Sequence, residues 1–188
     1  MRGKGAGERK TEGYEMKRAI CVILAVCLCL LLCTGCGNKA KVENGKILTP
    51  SEEFTKLFNK NLNKDYEKLG EFYTWKPERY PKWFEKDFSS VNRGVDFSFV
   101  LRDGTDEIAA IYLSSFRHEE IREYTAALLK TLGEDKETIE DILNEMEKSD
   151  YSFFLRESRG LTYSLGDTIS HVYTSEWVEH LKSDGSSL

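Results

Sequence analysis

Two octapeptides constrain the fold of this chain more than any other feature of its sequence. Residues 96–103 read DFSFVLRD and residues 150–157 read DYSFFLRE, with five identical and three conservative positions. Large apolar side chains alternate with polar ones, as they do in a strand with one buried face. A β-prone run and then a helix signal follow each octapeptide, at 107–113 and at 161–173. The sequence therefore predicts an α+β domain, with an antiparallel sheet of four or more strands and helices on one face.

The likeness of the two hairpin–helix units has two explanations. Two hairpins of one sheet require similar residues, so convergence alone can produce it. An ancient duplication of a hairpin and its helix would also produce it. The sequence leaves both explanations open.

Three helices are predicted from apolar spacing. Thr49 and Glu52 form the pattern of a capping box, with Pro50 between them in the first turn. Apolar residues then recur at helical spacing as far as Leu69, before Gly70, so we expect one helix over this stretch. Two later helices are predicted from apolar sets that share a face: Ile121, Tyr124, Leu128, Leu129 and Leu132 before Gly133, and then Ile139, Ile142, Leu143 and Met146.

All five cysteines lie within the first 36 residues, in and beside an apolar run. Residues 19–32, AICVILAVCLCLLL, carry no charge and follow the basic pair Lys17 and Arg18. A basic segment before an apolar one of this length is typical of a secretory signal. The run is shorter than the roughly 20 residues that a membrane-spanning helix needs. A short uncleaved anchor or a buried core helix is the alternative.

The end of the apolar run, LCTGCGN at 32–38, resembles the lipobox of bacterial lipoproteins. Thr34 and Gly35 are the two small residues before Cys36, although Cys33 stands where Leu is usual. The resemblance covers residues 16–38. It implies cleavage before Cys36 and a lipid on its sulfur, and two acyl chains such as palmitate hold a protein stably on a bilayer. We therefore expect a membrane-anchored protein on the extracytoplasmic face of a bacterial cell membrane.

These signals divide the chain into four parts. Residues 1–35 are the predicted signal peptide, and 36–46, small and polar, the predicted lipidated tether. Residues 47–183 are one α+β domain, and 184–188 a disordered tail. Since Cys36 is the only thiol left after cleavage and carries lipid, we expect no disulfide, cysteine-bound zinc or cysteine nucleophile.

The charge of the processed chain excludes one class of partner. Residues 36–188 hold 21 Lys and Arg against 29 Asp and Glu, a net charge of −8. Binding to a phosphate backbone needs clustered basic residues. We therefore expect no nucleic-acid partner.

No recognisable catalytic or metal motif is present. The three histidines are His118, His171 and His180, and none belongs to an H-x-x-x-H pair. Glu119 and Glu120 lie in the first turn of a predicted helix, where the helix dipole favours negative charge. We therefore expect no metal site, no cofactor and no catalytic residue.

The most unusual stretch is residues 72–88, FYTWKPERYPKWFEKDF, in which seven of 17 residues are aromatic. Two prolines stiffen its backbone and would hold the rings in place. Trp75, Tyr80 and Trp83 could form a recognition platform, because such rings bury large areas with few rotatable bonds. The alternative is that the rings close one end of the core.

The anchor and the aromatic stretch favour a non-catalytic binding or accessory module over other functions. Its ligand would be a peptide, a glycan or a partner protein. An envelope hydrolase is one alternative, and it requires a cleft with converging carboxylates or histidines. A structural or assembly subunit of a surface complex is another, and it requires an exposed apolar patch.

Overall fold

The computed structural model describes residues 37–70, 73–75, 86–92, 94–102, 104–149 and 152–186, and at 73–75 and 86–92 it describes the backbone alone. Residues 38–188 form a compact unit. Four helices lie in the described ranges: α1 (Ser51–Asn61), α2 (His118–Leu132), α3 (Lys136–Lys148) and α4 (Ser175–Ser183). The strands are β1 (Val42–Glu43), β2 (Lys46–Ile47), β3 (Tyr73–Trp75), β4 (Lys86–Asn92), β5 (Val95–Leu101), β6 (Ile108–Ser115), β7 (Phe154–Ser158), β8 (Leu161–Leu165) and β9 (Ile169–Tyr173).

The strands form one antiparallel sheet, which confirms the predicted α+β class. Its order is β3-β4-β5-β6-β9-β8-β7, and the short β1–β2 hairpin joins it where Ile47 pairs with Ile108. The run at 161–173 is two strands rather than one, because the chain turns at 166–168, where Gly166 N donates to Ile169 O at 2.9 Å. The two predicted hairpins therefore meet through β6 and β9 in the middle of the sheet.

Three helices cover one face of the sheet and enclose the main core, as the alternation of β5 predicts. Phe97 and Phe99 of β5 point into this face and are essentially inaccessible to solvent. The ring of Phe99 meets Phe54 of α1 edge-on, with ring centroids 5.7 Å apart. α2 and α3 supply the remaining apolar surface through Leu128, Ile142 and their neighbours. Burial of these rings provides most of the driving force for folding.

The fourth helix, α4, packs against the opposite face of the sheet. Its Trp177 and Val178 contact Val100, Ala110 and Tyr173, which form a second and smaller apolar cluster. Thr174 caps the helix by accepting from Trp177 N at 3.4 Å. The sheet is therefore covered by helices on both sides near β9.

The first helix is shorter than predicted, since it ends at Asn61 and not near Gly70. Asparagine side chains compete for backbone hydrogen bonds and weaken a helix. Here Asn59 Nδ2 donates to Leu69 O at 2.9 Å, and Leu69 N donates to Asn59 Oδ1 at 2.8 Å. The loop after α1 thus folds back, and Leu69 still reaches the core.

The folded domain also begins earlier than predicted, because most of the expected tether at 36–46 belongs to it. Ala40 and Val42 are buried, and Ala40 N donates to Thr131 O at 2.6 Å. Lys41 N donates to Thr49 Oγ1 at 2.7 Å, so Thr49 holds this hairpin and does not cap α1 as predicted. The turn of the hairpin, Asn44-Gly45, has positive φ at both residues, which suits a tight hairpin.

Candidate functional site

The residues predicted to carry function fall largely outside the described part of the chain. Trp75 is the last residue of β3, and its backbone pairs with Asp87 of β4. Tyr80 and Trp83 lie outside the described residues, as does Cys36. The aromatic platform and the lipidated cysteine therefore stay predictions.

A cavity of about 570 Å³ opens at the end of the domain where α2 begins and α3 ends. This volume suits a small ligand or the side chain of a larger one. Among the described residues, the lining comes from three segments that are far apart in the sequence. They are His118, Glu119, Ile121 and Arg122 of α2, Met146 and Glu147 of α3, and Asp167 of the β8–β9 turn.

The first turn of α2 places most of these side chains. His118 and Arg122 are four residues apart, so they lie on the same side of the helix. The chain enters α2 only two residues after β6 ends, which fixes the start of the helix at the edge of the sheet. The β8–β9 turn reaches the same edge, because Ser115 N donates to Thr168 O at 2.9 Å.

One ion pair and one close histidine–carboxylate contact brace the rim of the cavity. Arg122 Nη1 donates to Leu143 O at 2.8 Å and to Glu147 Oε2 at 3.2 Å, which ties α2 to α3. His118 Nδ1 lies 3.7 Å from Asp167 Oδ2, which links α2 to the β8–β9 turn. The side chain of Asp167 is only 14% exposed, so this carboxylate is held in place. These contacts preorganise the opening.

The cavity combines an apolar floor with a negative rim. Ile121 and Met146 are buried at its base, with 1% and 3% of their surface exposed. The rim carries the carboxylates of Glu119, Glu147 and Asp167 against one guanidinium. Such a lining suits a small ligand that joins an apolar part to a positive or neutral polar group. Among the described residues, no group of three or more potential ligands could hold a metal ion.

A second cluster of polar aromatic side chains lies on the face that α4 covers. Trp177 Nε1 donates to Tyr112 OH at 3.0 Å, and the ring of Tyr112 meets His171 with centroids 4.7 Å apart. Nδ1 of His171 lies 3.0 Å from Tyr173 OH. Burial lowers the pKa of His171 to about 4 and raises the pKa of Tyr173 to about 12. Both side chains are therefore neutral at physiological pH.

This cluster secures α4. The raised pKa of Tyr173 disfavours its phenolate, and the hydroxyl stays protonated beside His171. The partners of the rings come from the sheet and from α4 itself. The arrangement therefore satisfies polar groups that packing has removed from water.

A buried carboxylate, Glu134, also serves the fold. It follows Gly133 at the end of α2 and is 6% exposed. Tyr163 OH donates to its Oε1 at 2.7 Å, and Ser158 Oγ donates to its Oε2 at 2.9 Å. Burial, and secondly the hydrogen bond to Glu134, raises the pKa of Tyr163 above its ordinary value. These bonds tie the end of α2 to the β7–β8 hairpin.

The sequence predicts Glu119 and Glu120 on the first turn of a helix and gives no indication of the cavity. Glu119 is exposed, whereas Glu120 is only partly exposed and pairs with Arg117. The sequence could not show that Met146 and Asp167 line the same cavity as Glu119, because this arrangement joins distant parts of the chain. The one local signal was the sharp transition from β6 into α2.

No protein-family model, curated protein or solved structure matches this chain. The described helices include none that is both long and apolar enough to cross a membrane.

Proposed function

We propose that this chain is a bacterial lipoprotein, held on the extracytoplasmic face of the cell membrane, whose domain is a non-catalytic binding or accessory module. The observation that carries the binding role is the cavity at the start of α2, with its apolar floor and braced rim. The resemblance of residues 32–38 to a lipobox supports the anchor.

The anchor is tested by replacing Cys36 with Ala in the full chain, expressed in bacteria fed an alkyne analogue of palmitate. Labelling should disappear and the protein should leave the membrane fraction, because the acyl chains supply the membrane affinity. Cys33→Ala is the matched control and should keep both properties. Membrane retention of Cys36→Ala at the wild-type level would contradict the anchor.

The composition of the cavity supports binding of a ligand with an apolar part. Glu147 is paired with Arg122, and Asp167 lies beside His118, so both carboxylates already have neighbours that shape the opening. Glu119 is exposed on the rim and forms no ion pair with another described residue. We expect this excess of carboxylate to select a positive ligand over a negative one.

Binding is tested with three matched probes on residues 38–188: phenethylamine, 2-phenylethanol and 3-phenylpropionate. They share a phenyl ring and differ in charge, and amide NMR shifts report where each binds. Affinity should fall from the cation to the neutral probe to the anion, with shifts around Arg122 and Met146. Glu119→Arg should abolish the preference for the cation. Glu137→Arg, in the exposed first turn of α3, should leave it unchanged.

Shifts scattered over the surface, or equal affinities for the three probes, would contradict a ligand site in the cavity. An enzymatic role would require turnover of envelope material that a rim variant such as Asp167→Asn abolishes.

An assembly subunit is a second candidate, and exposed apolar side chains favour it. Phe116 is 95% exposed, Phe153 61% and Leu155 55%. Leu155 lies on β7, which pairs with β8 alone among the described strands. A stoichiometric partner that copurifies with the wild-type chain and is lost from a Phe153→Ser/Leu155→Thr variant would establish this function.

A further inference from the structure

The chain joins the folded domain within a few residues of Cys36. Asn61 Nδ2 donates to Asn38 O at 2.7 Å, and Ala40 N donates to Thr131 O at 2.6 Å. Only four peptide steps separate Cys36 from Ala40, and a fully extended chain covers at most about 14 Å in that distance. A lipid on Cys36 would therefore hold this end of the domain close to the bilayer.

This anchor-proximal end lies opposite the cavity. Thr131 is in the last turn of α2, whereas His118 of the cavity begins the same helix. A helix of 15 residues is roughly 22 Å long. The lipid and the cavity therefore belong to opposite ends of the domain.

Basic residues lie within the joining segment or directly precede the residues that bind it. Lys39 lies in the joining segment itself, Lys60 precedes Asn61 and Lys130 precedes Thr131, and all three lysines are exposed. None of the three forms an ion pair with a described residue.

A fourth cation completes the set. Arg159 is exposed at the tip of the β7–β8 hairpin, and its guanidinium donates to Leu132 O and, at 3.2 Å, to Val42 O. The carboxylates close in the chain are Glu43, which is 3.3 Å from Lys41, the buried Glu134, Asp135, which caps α3, and the exposed Glu137. The cations near them, with the exposed Lys41 and Lys136 included, outnumber these carboxylates. The anchor-proximal end thus keeps a positive excess, although the processed chain as a whole is acidic.

We propose that the anchor-proximal end, formed by Lys39, Lys60, Lys130 and Arg159, docks on an anionic bilayer surface and turns the cavity away from the membrane. This inference rests on the proposed lipid on Cys36, which brings these cations within reach of the headgroups. Juxtamembrane basic residues are attracted by anionic lipids over about one Debye length. Each one shifts the ratio of docked to undocked domain by roughly fivefold.

The test measures energy transfer from the full, lipidated chain to acceptor-labelled headgroups. Cys36 is blocked by its lipid, so one introduced cysteine can carry the donor: Glu137→Cys near the anchor-proximal end, or Phe116→Cys near the cavity. Vesicles are an equal mixture of phosphatidylglycerol and phosphatidylcholine, or phosphatidylcholine alone. Transfer from position 137 relative to position 116 should be higher on the anionic vesicles.

Charge reversal isolates the proposed surface. Lys60→Glu/Lys130→Glu should lower the docked-to-undocked ratio by roughly 30-fold or more and bring the relative transfer to its value on phosphatidylcholine. Lys148→Glu/Lys182→Glu is matched in charge change, lies outside the surface and should leave the transfer unchanged. Melting curves of both variants show that each is folded.

The outcomes separate this inference from the proposed function. Equal relative transfer on the two kinds of vesicle, with the chain still bound to both, would overturn the docked orientation and leave the anchor in place. A chain that carries no acyl mass on Cys36 and fails to float with either vesicle would overturn the proposed anchor, and with it the inference.

Discussion

The octapeptides DFSFVLRD and DYSFFLRE share five residues, yet the sheet uses them with opposite faces inward. Phe99 and Leu101 of the first are buried, at 1% and 0% exposed, whereas their counterparts Phe153 and Leu155 are 61% and 55% exposed. In the second octapeptide Phe154 packs against the main core in their place. A local pattern can therefore specify a strand without specifying which of its faces is buried.

The surroundings of the two strands account for the inversion. β5 lies between β4 and β6, and Phe99 pairs with Ile111 on the face that the helices cover. β7 pairs with β8, where Phe154 lies opposite Leu165. When a strand is shifted by one residue, each of its side chains moves to the opposite face of the sheet. In the middle of each octapeptide, the ring that faces the core is Phe99 in β5 and Phe154 in β7. Since Phe154 corresponds to Val100, the two rings are one position apart in the alignment of the octapeptides.

This inversion favours convergence over duplication. In a duplicated unit, corresponding residues would occupy corresponding environments. Here the helix after the first hairpin covers the main core, whereas α4, after the second, covers the opposite face. The likeness of the octapeptides follows from what any strand of this sheet requires.

The largest expected effect comes from truncating the same ring in the two octapeptides. Phe99→Ala should lower the free energy of unfolding by about 3–5 kcal/mol, because it leaves a cavity in the core. Phe153→Ala should change it by less than about 1 kcal/mol, because water already surrounds most of that ring. Urea denaturation of residues 38–188 measures both. Equal losses would show that β7 is buried as β5 is.

A smaller effect is expected from His171, which lies between the two octapeptides on the face of the sheet that α4 covers. His171 lies in a row that runs from Ser98 of β5 through Tyr112 and Ser164 to Leu155 of β7. Its pKa falls from 6.5 to about 4 on folding, because burial disfavours the charged ring. The unfolded chain then binds the proton more tightly, so stability falls as the pH drops from 6.5 to 4, by up to about 3 kcal/mol.

Denaturation across this pH range, compared between the wild type and His171→Gln, isolates the contribution of the histidine. The variant should lack that part of the loss, while both proteins share the titration of their carboxylates. Parallel pH profiles would show that water reaches His171, and that the face near β9 is as open as β7.

The sequence predicted what depends on local pattern. α2 and α3 follow their apolar spacing, and Gly133 ends α2 with a φ of 87°, as a glycine after a helix does. The strands of the octapeptides were predicted for the same reason. The length of α1 was not predicted, because the side chain of Asn59 binds both backbone groups of Leu69, ten residues on, and this contact folds the chain back after Asn61.

The candidate site depended on contacts that no local pattern encodes. The cavity needs Arg122, Met146 and Asp167 to meet, and these belong to α2, α3 and the turn between β8 and β9. Each looks ordinary in its own segment. The N-terminal hairpin was missed for a similar reason, because the small, polar residues around Ala40 are held by bonds to α2, to Thr49 and to Asn61.

The smallest expected effect concerns the arginine that ends each apolar stretch. Arg102 donates to both carboxylate oxygens of Glu176 on α4, whereas Arg156 lies 3.8 Å from Asp141 and 3.9 Å from Glu145 on α3. The same residue thus ties each strand to a different helix, on opposite faces of the sheet. The hydrogen bond to Glu176 is the main cause that raises the pKa of Arg102.

Both arginines are about one-third exposed, so water screens their ion pairs and the energies are modest. Arg102→Gln should lower the free energy of unfolding by about 1 kcal/mol, because hydrogen bonds to both carboxylate oxygens are lost. Arg156→Gln should lower it by about 0.5 kcal/mol or less. A double-mutant cycle with Glu176→Gln should return a coupling energy for Arg102, and the same cycle should return none for Arg156. A larger cost at Arg156 would contradict this ranking. It would mean that the contact of β7 with α3 contributes more stability than the contact of β5 with α4.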